Sequence, residues 1–106
     1  MVVSGQIAVD RRGNVIGPGD FKRQFNEVYR NLGAILKEYD ASFRDVVQFT
    51  TYIVNASDVP TFHQLRVQLY KKIYPKGDYP ANTLLVVDGL VLEGLLLEIE
   101  ALVALD

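Results

Sequence analysis

Four segments of this chain are rich in apolar, β-branched and aromatic residues, which is typical of strands. The last of them also alternates with a period of two, as a half-buried strand does. The predicted strands are residues 2–9, 46–54, 83–87 and 95–103. In the last of these, every odd-numbered position is apolar, whereas the even-numbered positions include two glutamates. Gly5, inside the first strand, suggests the close approach of a backbone or a ligand at that point.

The second predicted strand carries no charge on either face, although a solvated face normally carries Lys or Glu. We therefore expect helices to cover one face and a partner subunit to cover the other. The second strand is predicted to present Val47, Phe49, Thr51 and Ile53 on one face and Val46, Gln48, Thr50, Tyr52 and Val54 on the other.

Two segments have the three-and-four spacing of amphipathic helices. The first is predicted to begin after Asp20, a suitable N-cap, and to end near Tyr39, with Asp40 in the left-handed position that follows many helices. The second is predicted to begin at Ser57-Asp58-Val59-Pro60 and to end before Tyr74-Pro75. The predicted apolar stripes are Phe21, Phe25, Val28, Leu32, Ile35, Leu36 and Tyr39 in the first helix and Phe62, Leu65, Leu69 and Ile73 in the second.

The order strand, helix, strand, helix, strand, strand predicts one α/β (α+β) domain spanning residues 1–106, with a mixed sheet and two helices on one face. Asp88-Gly89 is a strong signal for a two-residue hairpin between the last two strands. Glu93-Gly94 is the alternative turn, and it would lengthen the third strand.

Composition narrows the chemistry. The chain has 106 residues, of which 49% are apolar, and its 11 basic and 13 acidic residues give a net charge of −2, which argues against a nucleic-acid partner. There is no cysteine, and His63 is the single histidine, so we expect neither a Cys-based metal site nor a histidine cluster that binds a metal. No apolar run approaches the ~20 residues of a membrane span. The N-terminus has no secretory pattern, so we expect a cytoplasmic protein without a membrane partner.

Two familiar catalytic arrangements are excluded, and two charged positions keep two interpretations each. One helical histidine cannot complete a serine-protease triad, and Gly17-Pro18-Gly19 lacks the Lys and Ser/Thr of a phosphate-binding loop.

Glu98 and Glu100 share a strand face, where two interpretations are open. Both are solvated, or, set among leucines, they are partly desolvated and suited to acid–base chemistry. Arg66 either covers the core with its stem or presents its guanidinium to an anion.

Five motifs occur in order along the chain and together resemble the Rid family, also called the YjgF family. The resemblance covers nearly all of the sequence. It implies a chorismate-mutase-like fold and a homotrimer with an inner β-barrel and ligand clefts between subunits. It also implies hydrolysis of enamines and imines such as 2-aminoacrylate, without cofactor or metal. The motifs are Ser4-Gly5-Gln6-Ile7, Asn31-Leu32, Val46-Val47 with Thr50 and Tyr52, Tyr79-Pro80-Ala81 with Thr83, and Glu98-Ile99-Glu100-Ala101.

The resemblance also assigns roles to residues. Glu98 matches the carboxylate that positions water, and Ser4 and Gly5 match the segment that lines the cleft. Asn82 and Thr83 lie in the segment that contacts the ligand. In the deaminase branch the position of Asn82 is an arginine that clamps the substrate carboxylate, so this chain departs from the family pattern there. The alternative for Asn82 is a strand-entry residue whose amide satisfies nearby backbone.

These observations predict a divergent Rid-family protein that binds a small metabolite at intersubunit clefts and hydrolyses a reactive imine or enamine. Arg66 is a candidate substitute for the missing arginine. Family members usually begin with an additional strand, and we expect that strand to be absent here. One alternative is a non-catalytic binding or regulatory protein on the same scaffold. A weaker alternative is the ribonuclease or translation inhibitor described for some members, which the net charge of −2 disfavours.

Overall fold

The computed structural model describes residues 1–105 and has a four-stranded mixed sheet with two helices packed against it. The strand order is β1-β4-β2-β3; β2 and β3 are parallel, and the other neighbouring pairs are antiparallel. This confirms the predicted fold class. The elements are β1 (Val2–Gln6), α1 (Phe21–Glu38), β2 (Val46–Ile53), α2 (Val59–Ile73), β3 (Ala81–Val86) and β4 (Leu97–Val103).

The predicted hairpin at Asp88-Gly89 is wrong, because β3 and β4 are not neighbours. The crossover through α2 places β3 parallel to β2 on one side, and β4 pairs with the other side of β2. Residues 87–96 therefore connect the two strands across the end of β2. The Glu93-Gly94 alternative fails for the same reason.

The helix signals in the sequence are confirmed at three points. The Asp20 side chain accepts a hydrogen bond from the backbone N–H of Arg23 at 3.1 Å, so it caps α1. Pro60 lies in the first turn of α2, and Asp40 has a φ of 55°. Tyr39 is an error in the predicted stripe: α1 ends at Glu38, and the Tyr39 side chain is 59% exposed.

Aromatic rings connect the helices with the sheet. The rings of Phe25 in α1 and Phe62 in α2 meet edge-on, with centroids 5.8 Å apart. Tyr29 and Phe49 make the same kind of contact at 5.8 Å between α1 and β2. Full burial of such a ring stabilises the fold by roughly 2 kcal/mol. The fully buried side chains include Phe25, Val28, Leu32, Leu36, Phe49, Ile53, Phe62, Leu97 and Ile99.

A β-bulge reverses the predicted faces at the start of β2. Val46 pairs with Val103 and Gln48 with Leu102, so Val47 is an extra residue on the β2 side. As a result Val46 is buried and Val47 is 48% exposed, opposite to the predicted alternation. A simple period of two cannot anticipate an inserted residue.

The strand ends also differ from the prediction. β1 ends at Gln6 rather than at residue 9, because Val9 pairs with Val15 in an isolated bridge beyond an irregular segment. β3 begins at Ala81, two residues early, and β4 begins at Leu97, two residues late. Within residues 1–105 no helix is long and apolar enough to cross a membrane.

Gln24 is a buried polar residue that the apolar pattern did not indicate. Its amide nitrogen donates to the carbonyl oxygens of Gly17 at 3.2 Å and Gly94 at 2.9 Å, and its Oε1 accepts from the N–H of Leu96 at 2.8 Å. One side chain in α1 therefore fixes both the loop before α1 and the connection that leads into β4.

Candidate functional site

Glu98 lies on the face of β4 that points away from the helices, directly over Gly5 in β1. A Cβ atom added at Gly5 would lie 2.2 Å from Glu98 Oε2 and 2.6 Å from Glu98 Cδ. The close approach suggested by this glycine is therefore an approach to the Glu98 carboxylate. Ser4 precedes Gly5 in β1 and is exposed.

The surroundings of Glu98 suit a proton-transfer role. Partial burial raises the pKa of Glu98 above its usual value, and repulsion by the neighbouring Glu100 raises it further. Glu100 is engaged differently, because the Tyr52 hydroxyl donates to Glu100 Oε1 at 2.9 Å. This hydrogen bond is the main reason that the pKa of Tyr52 is raised. Ser4, Gly5, Tyr52, Glu98 and Glu100 form what we call the Glu98 half-site.

Asn82 is the second residue of β3 and points toward the helices, because it pairs with buried Phe49. Its Oδ1 accepts a hydrogen bond from the hydroxyl of buried Thr51 at 2.8 Å. The carbonyl half of the amide is thus occupied, and the NH₂ half carries the remaining hydrogen-bond donors. This differs from the alternative in which the amide satisfies nearby backbone. Thr83 is exposed and points to the opposite face, in register with Thr50.

Asn82 and Arg66 line the same cavity, which lies between α2 and β3 and has a volume of about 300 Å³. The Arg66 guanidinium lies over the rings of Phe62 at 5.2 Å and Tyr70 at 5.8 Å. Its Nη2 donates to His63 Nδ1 at 3.0 Å. The stem of Arg66 therefore packs on α2 while its charged end is held at the cavity. Val67, Tyr70, Tyr79 and Pro80 complete the lining. We call Arg66, Tyr70, Tyr79 and Asn82 the Asn82 half-site.

A single chain does not bring the two half-sites together. Glu98 pairs with Tyr52 in β2, whereas Asn82 pairs with Phe49, three residues away along the same strand. Asn82 and Glu98 also point to opposite faces of the sheet, and β2 separates their strands. One ligand can contact both only if each half-site comes from a different copy of the chain.

The sequence interpretation missed Tyr70, which is buried and lines the cavity. The available signal was the spacing of Phe62, Arg66 and Tyr70, because residues four apart share one face of a helix. Within residues 1–105 there is no group of three or more side chains suited to hold a metal ion.

Comparison with known proteins identifies the family to which this chain belongs. The family model described as endoribonuclease L-PSP matches residues 1–105. The chain belongs to this family, which is the YjgF/Rid family. The rat 2-iminobutanoate/2-iminopropanoate deaminase is 32% identical over 100 residues, which cover 94% of this chain and 69% of the relative. A RutC family protein of Pyrococcus abyssi is 34% identical over 73 residues, 69% of this chain. The chain spans only 58% of the length of the Pyrococcus protein.

Two solved structures extend the comparison. YyfB of Yersinia pestis, described as a protein of unknown function of the conserved Rid family, superposes with a TM-score of 0.86 at 33% identity, covering 99% of this chain and 77% of YyfB. Escherichia coli TdcF with bound serine superposes with a TM-score of 0.84 at 25% identity, covering 99% of this chain and 80% of TdcF. The YjgF/Rid fold is thus shared along the whole described chain.

Proposed function

We propose that this protein binds a small imine or enamine metabolite at clefts between copies of the chain and hydrolyses it, with Glu98 directing the attacking water. The observation that carries this proposal is the separation of the two half-sites within one chain. Glu98 in β4 and Asn82 in the edge strand β3 point to opposite faces of the sheet, and β2 lies between them. In this proposal the Glu98 half-site of one copy meets the Asn82 half-site of the next.

The outer face of the sheet supports assembly. Val2, Leu85 and Leu102 are 71%, 44% and 44% exposed there, beside the neutral polar side chains of β2 and the two glutamates of β4. Large exposed apolar side chains grouped on one face are typical of a protein–protein interface. A closed ring of three copies, the homotrimer that the family resemblance implies, would cover this face and leave no β-sheet edge unpaired.

The chemistry needs one carboxylate and no cofactor. Glu98 accepts a proton from water as the water oxygen forms a bond to the imine carbon. The C=N π electrons move to the nitrogen, which takes this proton from Glu98 and gives a carbinolamine. Glu98 then carries the proton of the carbinolamine hydroxyl to the nitrogen. The C=O bond forms as the C–N bond breaks with its electron pair leaving on ammonia, so the product is a ketone or 2-oxo acid. A raised pKa makes Glu98 a better base, because proton transfer is most efficient when the pKa is near the working pH. The Asn82 amide holds the ligand by donating hydrogen bonds. The relatives named 2-iminobutanoate/2-iminopropanoate deaminase support this reaction type.

The test is a coupled assay in which an amino-acid oxidase generates 2-imino acids in situ and the rate of 2-oxo acid formation is measured. We expect the protein to accelerate hydrolysis over buffer and Glu98→Gln to lose about 100-fold or more of that acceleration. Glu93→Gln, an exposed acid outside both half-sites, is the matched control and should match the unmodified protein. No acceleration with any imine, or full activity of Glu98→Gln, would refute the enzymatic role.

A second function is favoured by one observation. Asn82 is neutral and its Oδ1 accepts from Thr51, so an uncharged ligand makes only neutral hydrogen bonds at this position. These contribute about 1 kcal/mol each, against roughly 1.5–3 kcal/mol for bonds to charged groups. A protein with this site would bind a small ligand as a sensor or regulator without turning it over. That function predicts a ligand-dependent rise in unfolding temperature with no product in the coupled assay.

A further inference from the structure

Arg66 is a cation without a neutralising partner at the cavity between α2 and β3. Within residues 1–105 the ion pair present is that of Glu27 with Arg30, so no described carboxylate neutralises Arg66. Its guanidinium has five N–H donors, of which one contacts His63. The Asn82 amide adds donors at the same cavity, because its oxygen is occupied by Thr51. Donors converging from a helix and a strand favour an anionic ligand group.

The rest of the cavity is apolar and aromatic. The rings of Tyr70 and Tyr79 lie 5.1 Å apart between centroids, and Val67 and Pro80 complete the wall. Tyr70 is buried and Tyr79 is 56% exposed, so this wall extends from the core to the mouth of the cavity. A volume of about 300 Å³ is at the small end of ligand sites and suits a molecule of the size of a large amino acid.

We infer that Arg66 binds the ligand carboxylate in place of an arginine at position 82, and that the Tyr70–Tyr79 wall selects an apolar side chain. The ligand class is 2-imino and 2-oxo acids with an aromatic or branched apolar side chain. This inference rests on the proposed function in that it concerns the same cleft. The guanidinium lies within cation–π distance of the Phe62 and Tyr70 rings, which hold it at the cavity. A guanidinium can bind a carboxylate through two parallel N–H donors.

Three stable probes separate the two parts of this inference by isothermal titration calorimetry. Phenylpyruvate has both the carboxylate and the aromatic side chain, pyruvate has only the carboxylate, and phenylacetone has the aromatic ketone without the carboxylate. We expect phenylpyruvate to bind at least about tenfold more tightly than pyruvate, because its ring buries apolar surface on the tyrosines. Equal affinity for these two acids would overturn the selection of apolar side chains.

Arg66→Gln tests the carboxylate contact and Tyr79→Ala tests the wall. Arg66→Gln should weaken phenylpyruvate binding by about tenfold or more and leave phenylacetone binding unchanged. Tyr79→Ala, at an exposed position that tolerates truncation, should weaken phenylpyruvate but not pyruvate. The matched control is Lys71→Gln, an exposed cation on the same helix, which should change neither affinity. Equal phenylpyruvate affinities of Arg66→Gln and Lys71→Gln would overturn the anchor, and so would equal losses for phenylpyruvate and phenylacetone.

These experiments distinguish failure of the ligand inference from failure of the proposed enzymatic role. Arg66-dependent binding of phenylpyruvate without imine hydrolysis would support the ligand class and refute the enzymatic role. Imine hydrolysis that is unaffected by Arg66→Gln would support the enzymatic role and overturn the anchor. Circular dichroism and light scattering of each variant establish that fold and assembly are unchanged, and Tyr79→Ala provides an independent result if Arg66→Gln does not assemble.

Discussion

Replacing Gly5 with alanine should displace the Glu98 carboxylate and leave the fold intact. Gly5 is not among the glycines with positive φ, so an alanine there meets no backbone strain. The three heavy atoms nearest to the new methyl group belong to the Glu98 side chain, at 2.2, 2.6 and 2.9 Å. A partly exposed glutamate can rotate toward solvent at little cost, whereas a backbone contact at the same distance would force the strands apart.

The size of the effect follows from these distances. Carbon and oxygen atoms in ordinary contact lie about 3.5 Å apart, so the Glu98 carboxylate must move by more than about 1 Å. A misplacement of about 1 Å in a catalytic group can lower a rate about 100-fold. Stability should change by less than about 1 kcal/mol, because alanine reduces the freedom of the unfolded chain and offsets the cost of the rotated glutamate.

The coupled imine assay, thermal unfolding and an NMR titration of the Glu98 carboxyl test this prediction together. We expect kcat/KM of Gly5→Ala to fall about 100-fold with little change in unfolding temperature. The pKa of Glu98 should move back toward its usual value as the side chain leaves its partly buried position. The control is Gly89→Ala, where an added Cβ meets nothing within 4 Å. If Gly5→Ala retains full activity while its Glu98 titrates differently, the position of Glu98 does not matter to the reaction and the reasoning is refuted.

Two further predictions concern stability. Folding raises the pKa of Glu98, so ionisation of this carboxyl disfavours the folded state. The contribution of protonated Glu98 to folding stability is complete below the ordinary pKa of 4.5. It is lost as the pH rises through the pKa of the folded state. Glu98→Gln should therefore gain unfolding temperature over the unmodified protein between about pH 4 and pH 7, and a difference independent of pH would contradict the raised pKa. Gln24→Leu leaves the Gly94 carbonyl and the Leu96 N–H without their partner, whereas the Gly17 carbonyl keeps the hydrogen bond from the Asp20 N–H. The variant should lower the free energy of unfolding by roughly 3 kcal/mol in urea titrations. Gln68→Leu, at an exposed position of α2, should change it by less than about 0.5 kcal/mol, and similar losses in both variants would show that the bonds of Gln24 are not decisive.

The candidate site was only partly predictable from the sequence. The strand pattern placed Glu98 on the face away from the core, and Gly5 indicated a close approach. The sequence did not indicate that the approaching atoms are those of Glu98, because that contact depends on the pairing of the first strand with the last. Arg66 was a candidate on its own, but its position beside Asn82 follows from the crossover that lays α2 over β3.

The sequence by itself determined the kinds of element, the helix caps and most of the core, because side-chain period and capping act over a few residues. Phe25, Phe62 and Ile99 are buried as their spacing requires, and Asp20 caps α1. Only the tertiary structure decided the insertion of β4 between β1 and β2. The bulge at Val47 and the separation of Glu98 from Asn82 depend on the same strand pairing. Strand neighbours and register depend on contacts between residues distant in the chain, where several pairings satisfy the same local pattern and packing selects one.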